Sequence, residues 1–266
     1  MTEPSPKGIC RLSIVPLRKE AADASEMVSQ LLFGDHYEVL EESKNGKWLR
    51  IRMAWDDYEG WIDRKQHTRI SEEYYEHISN ADYKVCTDLH SNIFFKKDYI
   101  HILIGSVLPI ASHELFKMEE QLAFNGNAKS LHLKRDHGFL KEIALKYLNA
   151  PYLWGGRSPF GIDCSGFSQT VFKIAGYRLP RDSKDQALQG QEVAGVEEAR
   201  EGDLAFFVNE KGRIYHVGIV LDGKKIIHAS GKVRVDALTP EGILDEEKQQ
   251  ITHKLASLRR IIKFIG

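Results

Sequence analysis

Cys164, His216 and His228 have the residue types and the local settings that nucleophilic catalysis requires. Cys164 ends the segment Tyr152-Leu153-Trp154-Gly155-Gly156-Arg157-Ser158-Pro159-Phe160-Gly161-Ile162-Asp163-Cys164. The glycine-rich loop delivers the thiol to the first turn of a predicted helix, where unpaired N–H groups and the positive end of the helix dipole favour a thiolate. A free thiol is only a few per cent ionised near neutral pH, so a hydrolase built on it also needs a histidine partner. The alternative for any lone cysteine is an inert buried thiol, and that reading suits Cys10 and Cys86.

The partner should sit on a rigid element, and Tyr215-His216-Val217-Gly218-Ile219-Val220 reads as a strand, with His216 and Gly218 sharing a face. A turn at Asp222-Gly223 leads to Ile226-Ile227-His228-Ala229-Ser230. A three-residue loop, Asp222-Gly223-Lys224, pairs position 218 with 228 and puts both histidines on one face; a two-residue loop puts them on opposite faces. The catalytic reading therefore requires the longer loop, with His228 holding the ring of His216 in one tautomer. A zinc site of the same three residues is chemically conceivable, but no CxxC or HExxH spacing supports it.

The elements that must position these groups lie in a chain of 266 residues with 37 Lys+Arg, 38 Asp+Glu and a formal net charge of -1. Such a length suggests two or three domains. The charge balance argues against nucleic-acid binding, and no apolar run reaches the ~18–20 residues that span a bilayer. Three scattered cysteines leave at least one thiol free. The opening Met1-Thr2-Glu3-Pro4-Ser5-Pro6 lacks the basic and apolar regions of a secretory leader, so a cytoplasmic location is expected.

Residues 1–67 read as a small β-barrel. Tyr37-Glu38-Val39-Leu40, Trp48-Leu49-Arg50-Ile51 and Tyr58-Glu59-Gly60-Trp61-Ile62 are separated by turns at Phe33-Gly34-Asp35 and Lys44-Asn45-Gly46. Trp48 and Trp61 are expected in its core. Residues 68–134 begin with a polar linker or helix and continue as a degenerate second β region, with a turn at Asn125-Gly126-Asn127. From 135 to 266 the pattern becomes α+β. A helix carries Leu140, Ile143, Ala144, Tyr147 and Leu148 on one face, and a second carries Phe167, Val171, Ile174 and Ala175 up to Gly176. Strands follow at 203–208, 214–221, 225–229 and 258–265.

Taken in order, Trp154-Gly155-Gly156, Asp163-Cys164-Ser165-Gly166-Phe167, Leu179-Pro180-Arg181-Asp182-Ser183, Gly202-Asp203-Leu204-Ala205-Phe206-Phe207, His216-Val217-Gly218-Ile219-Val220 and Ile227-His228-Ala229-Ser230 resemble the NlpC/p60 family of papain-like cysteine peptidases. The upstream barrels resemble bacterial SH3-like domains, and the whole arrangement is similar to γ-D-glutamyl-L-diamino-acid endopeptidases that trim cell-wall peptides. The resemblance implies Cys164 as nucleophile, His216 as base and then acid, His228 as orienter, and neither metal nor cofactor. It also implies an oxyanion site at the Cys164 N–H, with Tyr152 as a candidate helper.

For the substrate, the resemblance implies a small L-Ala-γ-D-Glu-diamino-acid peptide whose free amino terminus is read by Glu26, Tyr58 and Asp163, with Glu20 a nearby competitor for Glu26. Ser183, Ser165 and Trp154 are further substrate-side positions. Arg157 is a candidate for a substrate carboxylate, the alternative being a structural loop arginine. The implied reaction is hydrolysis of the bond from the γ-carboxyl of D-Glu to meso-diaminopimelate or L-Lys, in recycling of wall peptides. Two other readings remain open: a wall-binding protein with an inactive peptidase domain, and an amidase or acyltransferase on the same core.

Overall fold

The alternating sequence of the first 67 residues forms the strands it predicts. The computed structural model describes residues 5–111, 116–117, 122–221 and 224–262. In it, β1 (Lys7–Ile9), β2 (Ile14–Arg18), β3 (Met27–Leu32), β4 (His36–Glu42), β5 (Trp48–Met53), β6 (Glu59–Asp63) and β7 (Thr68–Ile70) make one sheet in the order β3-β2-β6-β5-β4-β1-β7. Val15, Leu17, Leu31, Tyr37, Val39, Leu49, Ile51, Met53 and Ile62 point into its core. Trp48 is buried there, but Trp61 is only half-buried. In β6 the burial alternates, so once Ile62 faces inward its neighbour Trp61 must face out. Gly34 supplies a turn at φ +83, and a Cβ there would collide with the Val107 carbonyl.

The polar segment that follows is a helix, α1 (Glu72–Asn80), capped by Ser71, whose hydroxyl accepts from the Tyr74 N–H at 3.1 Å. Next come β8 (Tyr83–Cys86), β9 (His90–Phe95), β10 (Asp98–Leu103), β11 (Val107–Ala111), β12 (Phe116–Lys117), β13 (Leu122–Asn125) and β14 (Ala128–Ser130). They form two sheets, β10-β9-β13-β12 and β11-β8-β14, with the Asn125-Gly126-Asn127 turn between β13 and β14. Their core of Cys86, Ile93, Ile102, Leu108 and Leu122 includes Phe33 from the first sheet's turn. Both β regions belong to one compact unit, Met1–Leu133, which also takes in Trp154–Pro159 with the short strand β15 (Arg157–Ser158).

The second unit comprises Lys134–Leu153 and Phe160–Gly266. Its helix α2 (His137–Lys146) starts at the cap Asp136 and buries Leu140, Ile143 and Ala144. Tyr147 is buried beyond its end, whereas Leu148 is exposed because the chain has already turned out of the helix. After the short strand β16 (Gly161–Ile162), α3 (Cys164–Ile174) is buried at every residue, including Gln169, Thr170 and Lys173. The one-sided helix expected from the sequence is thus a central one.

After α4 (Ser183–Gln186), the strands β17 (Gln191–Val193), β18 (Leu204–Val208), β19 (Ile214–Val220), β20 (Lys225–Ser230), β21 (Lys232–Leu238), β22 (Gly242–Asp245) and β23 (Gln250–Arg260) form a sheet in the order β17-β23-β18-β19-β20-β21-β22. An added β22–β23 pairing closes β18 to β23 into a six-stranded barrel. The last strand starts earlier than the expected 258–265; positions 263–265 lie outside the described residues. Among the described residues no helix is long and apolar enough to cross a membrane.

Candidate active site

Cys164 is the first residue of α3 because Asp163 caps that helix. The Asp163 Oδ1 accepts from the Gly166 N–H at 2.6 Å, a bond type worth about 1 kcal/mol. Arg181, from the Leu179-Pro180-Arg181 segment, grips the same carboxylate with two prongs, Nη1 to Oδ1 at 3.1 Å and Nη2 to Oδ2 at 2.6 Å. Both side chains are buried, which makes the pair costly to break from one side. Arg181 Nη1 also donates to Ser165 Oγ at 2.9 Å, and Gln186 Nε2 donates to the Ser165 carbonyl at 3.0 Å. The turn bearing the thiol is therefore wired from below by two segments that the sequence places well after it.

The Cys164 thiol donates to the Tyr215 carbonyl at 4.0 Å, from the residue next to His216, and the backbone amides of Val217 and Ser165 favour its ionised form. The register pairs Gly218 with His228, the geometry that the longer loop requires, although Asp222 and Gly223 themselves lie outside the described residues. Gly218 is needed for this approach: a Cβ there would sit 2.9 Å from His228 Cβ. His216 Nε2 and His228 Nδ1 are 2.8 Å apart, with the rings edge to face. His253 from β23 lies against the same ring at 4.3 Å between centroids and stacks on Tyr215.

Burial sets the proton equilibrium. It pushes the Cys164 thiol up to about 12, helped by the Asp163 charge and opposed by the Val217 amide, Arg181 and the Ser165 amide. Burial also drives His216 well below 6.5, followed by repulsion from His228 and His253. The helix field alone thus does not leave a free thiolate, which accords with the need for a histidine partner read from the sequence. For each group singly the charged form is disfavoured, and only thiolate and imidazolium together offset that cost.

His253 is lowered to about 4, by burial first and then by the His228 charge. Two histidines that stay neutral in the fold but protonate near 6.5 when unfolded make the unfolded state bind more protons below that pH, so stability falls on acidification. Tm is expected to be flat above about pH 6.5 and to decline from there toward about 5, before the carboxylates titrate. His253→Gln should flatten the decline; a Tm that does not change over this window contradicts the assignment.

The other sequence-selected residues are distributed as follows. Tyr152 is half-buried in the catalytic unit, and its phenol is pushed up to about 12 by burial and then by the negative forms of Cys164 and Asp163, so it remains an O–H donor. Ser183 opens α4, half-buried. Ser165 is buried beneath the Cys164 turn. In the first unit, Trp154 Nε1 donates to Glu26 Oε1 at 2.8 Å. That bond, with one from Lys19, holds Glu26 below the usual carboxylate range. Tyr58 packs half-buried against the first barrel's core.

Arg157 requires a correction. It is 1% exposed, donating from Nη1 to the Gln30 carbonyl at 2.8 Å and to Asp35 Oδ2 at 3.2 Å. It is a structural arginine of the first unit rather than a receptor for a substrate carboxylate.

The sequence reading missed His253, Asp236 and Arg234. The last two lie on β21, where Lys232-Val233-Arg234-Val235-Asp236 alternates charged and apolar residues, a strand signal that was there to be read.

A thiol at the start of a buried helix, served by a strand histidine that a second strand histidine orients, is the working part of a papain-like cysteine peptidase. Residues 149–251 match the model of the NlpC/P60 family, and residues 17–66 match that of the bacterial dipeptidyl-peptidase SH3 domain. The gamma-D-glutamyl-L-lysine dipeptidyl-peptidase of Bacillus subtilis is 31% identical over 217 residues, covering 76% of this chain and 71% of the relative. One of the same name from Bacillus cereus is 27% identical over 255 residues, with 84% and 74% covered. The crystal structure of an NlpC/P60 family protein from Bacillus cereus superposes with a TM-score of 0.82 at 21% identity over 97% of this chain and 100% of that one, a likeness of fold. The chain belongs to the NlpC/P60 family of cysteine peptidases.

Proposed function

We propose that this peptidase hydrolyses the bond between the γ-carboxyl of D-Glu and the following diamino acid, L-Lys or meso-diaminopimelate, in short wall peptides with a free N-terminal L-Ala. The 31% identity to a relative named for γ-D-glutamyl-L-lysine carries the choice of bond. The histidine pair at 2.8 Å supports the chemistry. Cys164 attacks the γ-carbonyl as its proton passes to His216, and the oxyanion faces the N–H of Cys164, which has no intrahelical acceptor. His216 then gives that proton to the leaving α-amine, the C–N bond breaks, and a thioester remains on Cys164. Water, deprotonated by His216, hydrolyses the thioester and restores the thiol.

The substrate's cationic amino terminus needs carboxylates and an acceptor; Glu26, Tyr58 and Asp163 are our assignment, with Tyr152, Trp154, Ser165 and Ser183 for the remaining contacts. Recycling of released wall peptides is the role such a specificity would serve. In intact peptidoglycan the L-Ala nitrogen is acylated, so the amine requirement can be tested directly. L-Ala-γ-D-Glu-L-Lys should be cleaved at least about 100-fold faster, in kcat/KM, than its N-acetyl form, about 3 kcal/mol for a charge left unmatched. Equal rates would overturn the amine requirement. Binding to insoluble wall without Cys164-dependent turnover would favour the inactive wall-binding reading instead.

A further inference from the structure

Behind His228 the hydrogen-bond chain continues to a residue that neither the motifs nor the catalytic assignment includes. His228 Nε2 lies 2.8 Å from Asp236 Oδ2, and the other oxygen, Oδ1, accepts from Arg234 Nη2 at 2.7 Å. The barrel dictates this placement: β21 pairs with β20 so that His228 faces Arg234 and Ile226 faces Asp236. Asp236 thus falls on the same face as His228, two residues along the neighbouring strand. Its side chain is 11% exposed and that of His228 1%.

While Asp236 is ionised and His228 carries a single proton, the donors and acceptors of this chain can be assigned in only one way. A carboxylate only accepts, so the proton of His228 sits on Nε2. With that single proton on Nε2, His228 has its lone pair on Nδ1, and His216 Nε2, 2.8 Å away, must be the donor. That leaves the lone pair of His216 on Nδ1, free to take the thiol proton. Burial raises the Asp236 carboxyl, but bonds from His228 and Arg234 outweigh it and hold the group below the usual range. Among the described residues, the charged and titratable groups acting on this chain are Arg234 on β21, His253 on β23, and Asp245 and Glu247, whose charges act on Arg234.

We propose that Asp236 is a positioning residue for the peptidase reaction: anchored by Arg234, it fixes the proton of His228 on Nε2, and through His228 it makes Nδ1 of His216 the base. The inference rests on the assignment of Cys164, His216 and His228 as the catalytic groups.

Asp236→Asn keeps the shape and changes the logic. Arg234 still requires an oxygen, so the asparagine turns its amide oxygen to Arg234 and its NH₂ toward His228 Nε2. The proton of His228 moves to Nδ1, His216 must accept there with Nε2, and its Nδ1 becomes a donor that cannot act as base. The expected result is a loss of kcat of about 100- to 10,000-fold with KM within about threefold. Removing the constraint should reverse part of the loss. With Arg234→Met added, the asparagine can turn its oxygen back to His228, and the double variant is expected to exceed Asp236→Asn in kcat by about tenfold or more. The ¹⁵N shifts of His228 should report Nε2–H in the parent and Nδ1–H in Asp236→Asn, a readout independent of turnover.

A kcat for Asp236→Asn within about threefold of the parent, an unchanged His228 tautomer, or a double variant no better than the single one would overturn the proposal. Cys164→Ala, assayed alongside, separates the two failures. If it is inactive while Asp236→Asn is near normal, only the role of Asp236 fails; if it stays active, the catalytic assignment fails and this inference with it.

Discussion

Alanine in place of Cys164 is expected to lower peptide turnover by on the order of 10,000- to 1,000,000-fold with little change in Tm. In the proposed reaction the acyl bond forms on this sulfur, and His216 takes its proton. His216 is driven well below 6.5 by burial and by its histidine neighbours, so at neutral pH it is unprotonated, as the proposed base must be. The thiol, pushed up to about 12, keeps its proton until that base takes it. Removing one sulfur takes away a long thiol bond to the Tyr215 carbonyl, a cost of about 1 kcal/mol that the fold can bear. Cys164→Ser should fare little better, since a hydroxyl is far harder to deprotonate than a thiol. The check is kcat with Tm on the same preparations; turnover within about tenfold of the parent in the alanine variant contradicts the assignment.

The largest loss of stability is expected at Arg181. Its guanidinium lies 2.6 Å from Asp163, and the two side chains are 1% and 6% exposed. Arg181→Met leaves that carboxylate buried without its counter-ion, which typically costs about 3–5 kcal/mol. In a unit of this size the melting temperature should fall on the order of 10 °C. Catalysis should weaken too, because Asp163 caps the helix that holds Cys164 and Arg181 also binds Ser165. Adding Asp163→Asn should restore most of the stability, since asparagine still caps and no charge is stranded. Denaturant unfolding of the single and double variants decides the point. A single variant within about 1 kcal/mol of the parent would show that the pair does not hold the turn.

Some of this site was legible in the sequence and some was not, for physical reasons. Cys164 and the two strand histidines stand out because loop glycines, a helix pattern and period-two strands lie next to them in the chain. The pairing of Gly218 with His228 was legible only as a condition on loop length. Asp236 and His253 were hidden because their meaning comes from barrel closure, which brings β21 and β23 around β20 and β19. Much of β23 is exposed and polar, so hydrophobicity marks only its final turn toward Leu258. Arg157 and Trp61 show the converse limit. A loop arginine and a strand tryptophan each have two environments open to them, and only the fold selects the Asp35 partner for one and the outer face for the other.

The central claim is that a thioester forms between Cys164 and the γ-carboxyl of D-Glu. Turnover of L-Ala-γ-D-Glu-L-Lys in the presence of hydroxylamine, followed by mass spectrometry, tests it most directly, because hydroxylamine competes with water for the acyl group. The account predicts free L-Lys together with the γ-hydroxamate of L-alanyl-D-glutamate, both absent with Cys164→Ala. Release of L-Ala with the γ-D-Glu-L-Lys bond intact, or the same products from the alanine variant, would contradict it.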